Sequence, residues 1–278
     1  VTTLGDRGLN LKETAKFVAS VPFRAGRKLR LFLQGRLQCY KLALSLVEGK
    51  NGLEIGGPTD VFQTIHRPSR IYGLQSPLPI YDHVGSLDNC NFSRETMWAS
   101  HDESYHFSSR RPPGKVIIAD GSALSAVGDG AYDFVLSSHN LEHFANPVKA
   151  LKEWKRVTRP NGALILVLPD YRRTFDRRRT PTPVQHMLDD YAQNTGEDDT
   201  THVPEVLKLH DLRMDGTLKT GAYEELHARS INNLANRSLH HHVFDETNSV
   251  ALLRAVGLEV LAIELALPYH MFILSRWK

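Results

Sequence analysis

The sequence predicts an α/β protein built on a mostly parallel sheet of seven strands. Three observations carry that expectation. Short apolar runs alternate with helical stretches through residues 51–169 and again through 246–278. The runs are apolar along their whole length, as strands covered on both faces are. Each of the first four runs ends in polar residues: Glu54-Ile55-Gly56-Gly57, Asp88-Asn89, Asp120-Gly121-Ser122 and Ser137-Ser138-His139. In an open α/β sheet the ligand sits outside those carboxyl ends.

The elements follow in order. Residues 1–50 form a helical N-terminal extension, with Arg24, Arg27, Lys28, Arg30 and Arg36 among Leu, Phe and Ala, on a solvated face, a lid or an oligomer contact such as a homodimer's. Leu53–Ile55 is the first strand, followed by a helix near Asp60–His66. His83–Leu87, Lys115–Ala119 and Tyr132–Leu136 are the next three strands. Asn146–Val157 is a helix, with Pro147 in its first turn and Val148, Leu151, Trp154 and Val157 on one face. Pro160-Asn161-Gly162 turns into a strand over Ala163–Leu168, which Pro169 stops. Residues 170–245 break the rhythm, and so much polar sequence between regular elements predicts an inserted cap that binds the acceptor. A helix at Glu246–Val256, ended by Gly257, leads to strands at Leu258–Glu264 and His270–Arg276. The last strand has alternating character and suits an antiparallel edge.

Composition narrows the class. Across 278 residues, 41% are hydrophobic, enough for a substantial core, and the net charge of +3 neither demands nor excludes an anionic partner. With only Cys39 and Cys90, there is no disulfide framework and no cysteine-based zinc site. Apolar runs fall well short of a membrane span, and the start of the chain lacks an apolar signal core, so a cytoplasmic protein is expected.

The strand ends divide the work of holding a nucleotide-type ligand. Gly56 and Gly57, with Pro58 after them, let the backbone approach it closely. Asp88, beside Asn89, would take ribose hydroxyls, and Asp120, with Gly121 and Ser122, would accept from an adenine amino group. Glu54 would orient the loop and the cationic end of the ligand, and Ser138 completes the set. Any one of these acids could simply cap a helix.

These residues resemble the class I S-adenosylmethionine-dependent methyltransferases, over about residues 50–170 and 246–276. The resemblance rests on Leu53-Glu54-Ile55-Gly56-Gly57, on Asp120–Leu124, on Tyr132–His143 and on the turn Val157–Gly162. It implies a Rossmann-like sheet and S-adenosylmethionine as methyl donor, bound by the glycine loop and the strand-end acids. Pro58 and Asp60 stand where the family commonly has further glycines. The three-glycine dinucleotide fingerprint and the phosphate-loop Gly-Lys-Ser/Thr are absent.

On the acceptor side stands His139-Asn140-Leu141-Glu142-His143, where 139, 142 and 143 share a face of a helical turn. A sulfonium donor is already activated, so alignment and proton removal remain. His143 or His139 would be the base with Glu142 orienting it, or the three would hold a divalent metal such as Mg. The spacing is similar to the metal-binding Glu-x-x-Glu-His of small-RNA 2′-O-methyltransferases, with His139 in place of the first Glu. In the insertion, Arg177–Arg179, Asp189-Asp190, His202, His210-Asp211 and His240-His241-His242 suit a saccharide or other polyhydroxylated acceptor, with Tyr191 and Tyr223 as aromatic platforms. One imidazole of the His240–His242 run is expected to return to the His139–His143 site. No His-Glu-x-x-His is present, which disfavours a zinc enzyme. Thr174–Pro183 and His240–Asp245 resemble bacterial sugar O-methyltransferases of polysaccharide biosynthesis, among them the actinobacterial methylmannose polysaccharide 1-O-methyltransferase. The reading is O-methylation of a saccharide. The alternatives are a nucleic-acid 2′-O-methyltransferase, using the basic residues as a phosphate track, and a cofactor-binding interaction module without catalysis.

Overall fold

The computed structural model describes residues 36–64, 76–96, 103–218 and 222–278. Arg24, Arg27, Lys28 and Arg30 of the expected N-terminal helices lie outside those residues. Within them, helix α1 (Tyr40–Val47) precedes strands β1 (Asn51–Ile55), β2 (Ser86–Asn91), β3 (Ser104–Tyr105), β4 (Gly114–Ile118) and β5 (Tyr132–Ser138). Helix α2 (Pro147–Val157) leads to β6 (Thr158–Pro169). The segment 170–245 then carries α3 (Val184–Gln193), α4 (Val203–Leu209), α5 (Ala222–Ile231) and α6 (Asn233–Asn236). Helix α7 (Glu246–Ala255) returns the chain to β7 (Leu258–Ala266) and β8 (His270–Trp277).

The sheet order is β3-β4-β2-β1-β5-β6-β8-β7. Strands β4, β2, β1, β5 and β6 run parallel to one another, while β3 pairs antiparallel with β4, and β8 with both β6 and β7. The chain order reverses about β1, which opens a crevice at the carboxyl ends of β1 and β5. Alternate residues of each strand feed two cores. Leu53, Val135, Leu164 and Leu166 pack with Trp154 on one face, and Phe134, Leu136, Ile165 and Val167 pack with Phe62 and Tyr81 on the other. Both faces are therefore dry, as the uninterrupted apolar runs require.

Four expectations need correction. The described residues form eight strands, not seven, because Ser104–Tyr105 adds an antiparallel edge to β4. The second strand is Ser86–Asn91 rather than His83–Leu87; residues 81–83 form a 3₁₀ turn instead. Strand β8 is antiparallel but not an edge: it lies between β6 and β7 and is buried almost throughout. The helix expected near Asp60–His66 is a turn through Gln63, with residues 65 and 66 outside the described set.

Helix α2 begins where the sequence places it. The Asn146 side chain accepts from Lys149 N at 2.9 Å, and Pro147 occupies the first turn, where its missing N–H costs nothing. Its Trp154 Nε1 donates to Gly121 O at 2.9 Å, tying the helix to the loop after β4. Helix α7 starts with a reciprocal cap between Asp245 and Asn248. Among the described residues, no helix is long and apolar enough to cross a membrane.

Candidate active site

The loop after β1 is held from beneath. Glu54 is fully buried and accepts from Tyr81 Oη at 2.8 Å and Tyr105 Oη at 2.6 Å. Burial raises its pKa to about 8, and the two tyrosine hydrogen bonds hold that rise back. Tyr81 Oη in turn accepts from Thr59 N at 2.9 Å, so the carboxylate fixes the loop through a phenol. Glu54 thus reaches the loop through Tyr81, and its own oxygens are spent on tyrosines. Gly56 and Gly57 have φ of +83° and +71°, in the left-handed region. A Cβ at Gly56 would lie 2.7 Å from Asn140 Nδ2, and one at Gly57 would lie 2.5 Å from Glu54 Oε1. Both positions therefore require glycine, because a side chain would meet Asn140 or Glu54, and exposed Pro58 follows them.

Asp88 is not at the strand end. It lies within β2, level with Leu53, and its two oxygens accept from Lys115 N at 2.8 Å and Tyr132 Oη at 2.9 Å. The misplaced strand boundary is the reason, since the carboxyl end of β2 is Asn91. Buried Asn89 and Asn91 both donate to Gly56 O, and Asn91 Nδ2 also donates to Asn89 Oδ1 at 2.5 Å. These amides brace the glycine loop from the neighbouring strand.

Asp120 does stand past the end of β4. Its Oδ1 accepts from Ser122 N at 2.8 Å and Ser122 Oγ at 2.7 Å. Its Oδ2 lies 3.3 Å from Arg237 of the insertion, whose other nitrogen is 2.9 Å from Glu197. A Cβ on Gly121 would come within 3.0 Å of Ile55 and Phe144, so this turn needs glycine to close against β1. Ser138 Oγ is 3.5 Å from Thr59 Oγ1, which joins the loops after β5 and β1.

Beyond β5 the chain bends sharply. His139 has φ of +50°, an uncommon state for a residue with a Cβ, and its N donates to Val167 O at 2.8 Å. His139 Nε2 is 2.7 Å from His270 Nδ1, and its Nδ1 is 3.7 Å from Glu142 Oε1. Glu142 and His143 follow on a 3₁₀ turn, Leu141–His143. His143 Nδ1 donates to Leu239 O at 3.2 Å, which leaves Nε2 of the neutral ring as its acceptor nitrogen.

The insertion completes the cluster. The rings of His143 and His240 meet edge to face at 4.6 Å, and one ligand atom each of Glu142, His143 and His240 lies within 4.8 Å of the others. His240 Nδ1 is 2.5 Å from Asp176 Oδ2. Asp176 is braced by Arg179, whose NH1 stands 3.0 Å from Asp176 and 2.8 Å from His240 O. From the sequence, Asp176 was one of many charged residues in the insertion, with no partner assigned to it. The signal was the Thr174–Arg179 string, which only the fold brings beside His240.

The imidazoles divide by environment. Burial, with the charge of neighbouring histidines, lowers His139 to about 3 and His143 well below the ordinary value. For His240 burial also works downward, but the adjacent Asp176 carboxylate outweighs it and the pKa rises above 6.5. Asp176 is held down at about 2: burial opposes ionisation, and His240 with Arg179 overcomes it. Burial lifts Glu142 to about 7, and its Oε2 is buried with no hydrogen-bond partner. The expected platforms Tyr191 and Tyr223 are exposed on the insertion, Tyr191 beneath Lys152 Nζ at 3.9 Å.

Residues 91–166 match the family model described as a methyltransferase domain. That span holds Asp120, Ser138, His139, Glu142 and His143, and leaves out both the glycine loop and the insertion. No curated protein matches the chain. Among solved structures, an S-adenosylmethionine-dependent methyltransferase from Aquifex aeolicus is similar at 12% identity and a TM-score of 0.44, covering 98% of this chain and 100% of its own. One from Mesorhizobium loti has 11% identity and a TM-score of 0.45, over 86% and 95% of the two chains. One from Methanosarcina mazei has 13% identity and a TM-score of 0.43, over 87% and 99%. Over the matched span, which runs from the end of β2 into β6, the chain is similar to a methyltransferase domain.

Proposed function

We propose that the protein transfers a methyl group from S-adenosylmethionine to a hydroxyl oxygen of a saccharide, with His240 as the base. The observation that carries this reading is the His240–Asp176 pair of the insertion, set against Glu142 and His143 at the end of β5. The glycine turn at Gly56–Pro58 after β1, with Asp120 and Ser122 after β4, is of the kind that holds the donor. When bound, the donor supplies an electrophilic methyl carbon and a thioether leaving group. The acceptor's hydroxyl proton passes to Nε2 of His240, whose Nδ1 is already given to Asp176, and that carboxylate stabilises the imidazolium. His143 and His139, kept neutral, orient the acceptor by hydrogen bonds. Polar side chains of both signs around the cluster suit a polyhydroxylated acceptor better than a phosphate track does.

The test is isothermal calorimetry with S-adenosylhomocysteine, then mass spectrometry of an oligosaccharide panel incubated with the donor. Failure to bind S-adenosylhomocysteine removes the whole reading; binding with products methylated on nitrogen or on RNA removes only the acceptor. A second reading, a divalent ion at Glu142, His143 and His240, is favoured by the unpartnered Glu142 Oε2 and by the outer bonds to Leu239 O and Asp176. A chelator that abolishes turnover, restored by added Mg, would select it.

A further inference from the structure

We infer that His186, His202, His242 and Asp190 form a structural zinc site in the insertion, separate from the methyl-transfer site. One ring nitrogen of each of the three histidines lies within 4.8 Å of the other two. His186 Nε2 is 3.1 Å from His202 Nε2 and 3.6 Å from Asp190 Oδ2, and His242 Nε2 is also 3.6 Å from Asp190 Oδ2. Zinc bonds to nitrogen and oxygen are about 2.0–2.2 Å, so ligands at the corners of a tetrahedron stand roughly 3.3–3.6 Å apart. Two of the three separations fall at that edge length, and the His186–His202 distance is slightly shorter. His186 and Asp190 are four residues apart on α3 and share a face. His202 caps the start of α4, and His242 comes from the stretch before α7.

Two further observations point to a ligand. Asp190 Oδ2, the oxygen that faces both His186 and His242, is buried with no hydrogen-bond partner, a state that costs stability in a folded interior. The contact of His242 Nε2 with Ala145 O is 3.3 Å, longer than the usual N–H···O range, and does not account for the ring's position. His202 and His242 are also held in the neutral form that metals bind, by burial first and then by neighbouring imidazoles.

The insertion has a reason to need such a staple. Among the described residues, its own apolar core buries Val203, Val206, Leu226 and Leu239. A core that small does not hold several helices in place unaided. A zinc ion joining α3, α4 and the 240–245 stretch would set the position of His240 without touching the reacting atoms. The absence of cysteine ligands and of His-Glu-x-x-His in the sequence hides this centre, since its ligands are scattered over 57 positions from His186 to His242.

The test uses the full chain, purified without a histidine tag. Metal content by inductively coupled plasma mass spectrometry should show one zinc per chain, and zinc added to chelator-stripped protein should raise the melting temperature. His186→Ala changes a side chain that is 43% exposed, and circular dichroism verifies that it folds. His186→Ala and His202→Ala should weaken zinc binding by more than about tenfold, whereas His143→Ala should keep it. Two outcomes overturn the inference: stripped wild type that neither binds zinc nor shifts its melting temperature, and metal lost in His143→Ala but kept in His186→Ala.

Discussion

Glu54 links the cofactor loop to pH, and Glu54→Gln isolates that link. The carboxyl is fully buried, and its pKa rises from 4.5 to about 8 on folding, first through burial. Between those values the folded chain holds a proton that the unfolded chain has lost. Stability contributed by this group is thus fully present below pH 4.5 and is lost as pH rises through 8. The slope is roughly 1.4 kcal/mol per pH unit, and the whole interval amounts to at most roughly 5 kcal/mol. That is a large part of the 5–15 kcal/mol of an ordinary domain. Glutamine keeps the shape and cannot ionise, but it serves two tyrosine hydroxyls less well, at a cost of about 1 kcal/mol. The variant should therefore be the less stable protein near pH 5 and the more stable one near pH 8.5. Urea unfolding of both proteins across that range measures the difference directly, since all other titrations cancel. Parallel curves would refute the argument, because they would mean that Glu54 is hydrated or paired.

Four other outcomes follow from the same structure. His240→Gln should lower turnover by about 10²–10⁴-fold with little change in S-adenosylhomocysteine affinity. The wild-type rate should rise with pH through an apparent pKa above 6.5, because only neutral His240 accepts the proton, and Asp176→Asn should move that limb to lower pH. A limb that stays put in Asp176→Asn would exclude the pair as the base. Asp88→Asn should cost stability, by about 1 kcal/mol for the weakened bonds to Lys115 N and Tyr132 Oη, yet leave S-adenosylhomocysteine affinity unchanged in calorimetry. Gly57→Ala forces a Cβ into the left-handed region at about 1–2 kcal/mol and into Glu54 Oε1; thermal melting should fall and cofactor binding should weaken with it.

Strands β1, β5 and β6 and helix α2 were legible because their apolar periodicity is local and complete. Strand β2 was not. Its Asp88 and Asn89 read as the strand's end, yet they lie within it and bond to groups on other strands and loops: Lys115, Tyr132 and Gly56. Strand β3 is two residues long and carries no pattern at all. Strand β8 was read as an alternating edge because its position between β6 and β7 is a fact of topology. In the site, the polar strand ends and His139–His143 were visible as motifs. The return of one imidazole from the His240–His242 run was anticipated, but not which one, since neighbours in sequence part company in space: His240 meets Asp176 while His241 meets Asn233. Asp176 and Arg179 belong to a densely charged stretch of sequence and are nevertheless buried, paired with one another.

Arg179, 1% exposed at its side chain, reaches Asp176, Glu205 and the carbonyls of both His240 and His241. Peeling this part of the insertion away from the sheet would strand that guanidinium or flood it with water, and neither can happen by degrees. Amide exchange at Arg179, Thr182 and Val243 should therefore occur only with global unfolding, while α5 and α6, with Ile231 and Leu234 exposed, fray on their own. A protease added to the native protein should nick near residues 231–236 first. The fragment carrying 174–182 should stay folded on the sheet, and the chain would keep its catalytic face after losing its outer rim.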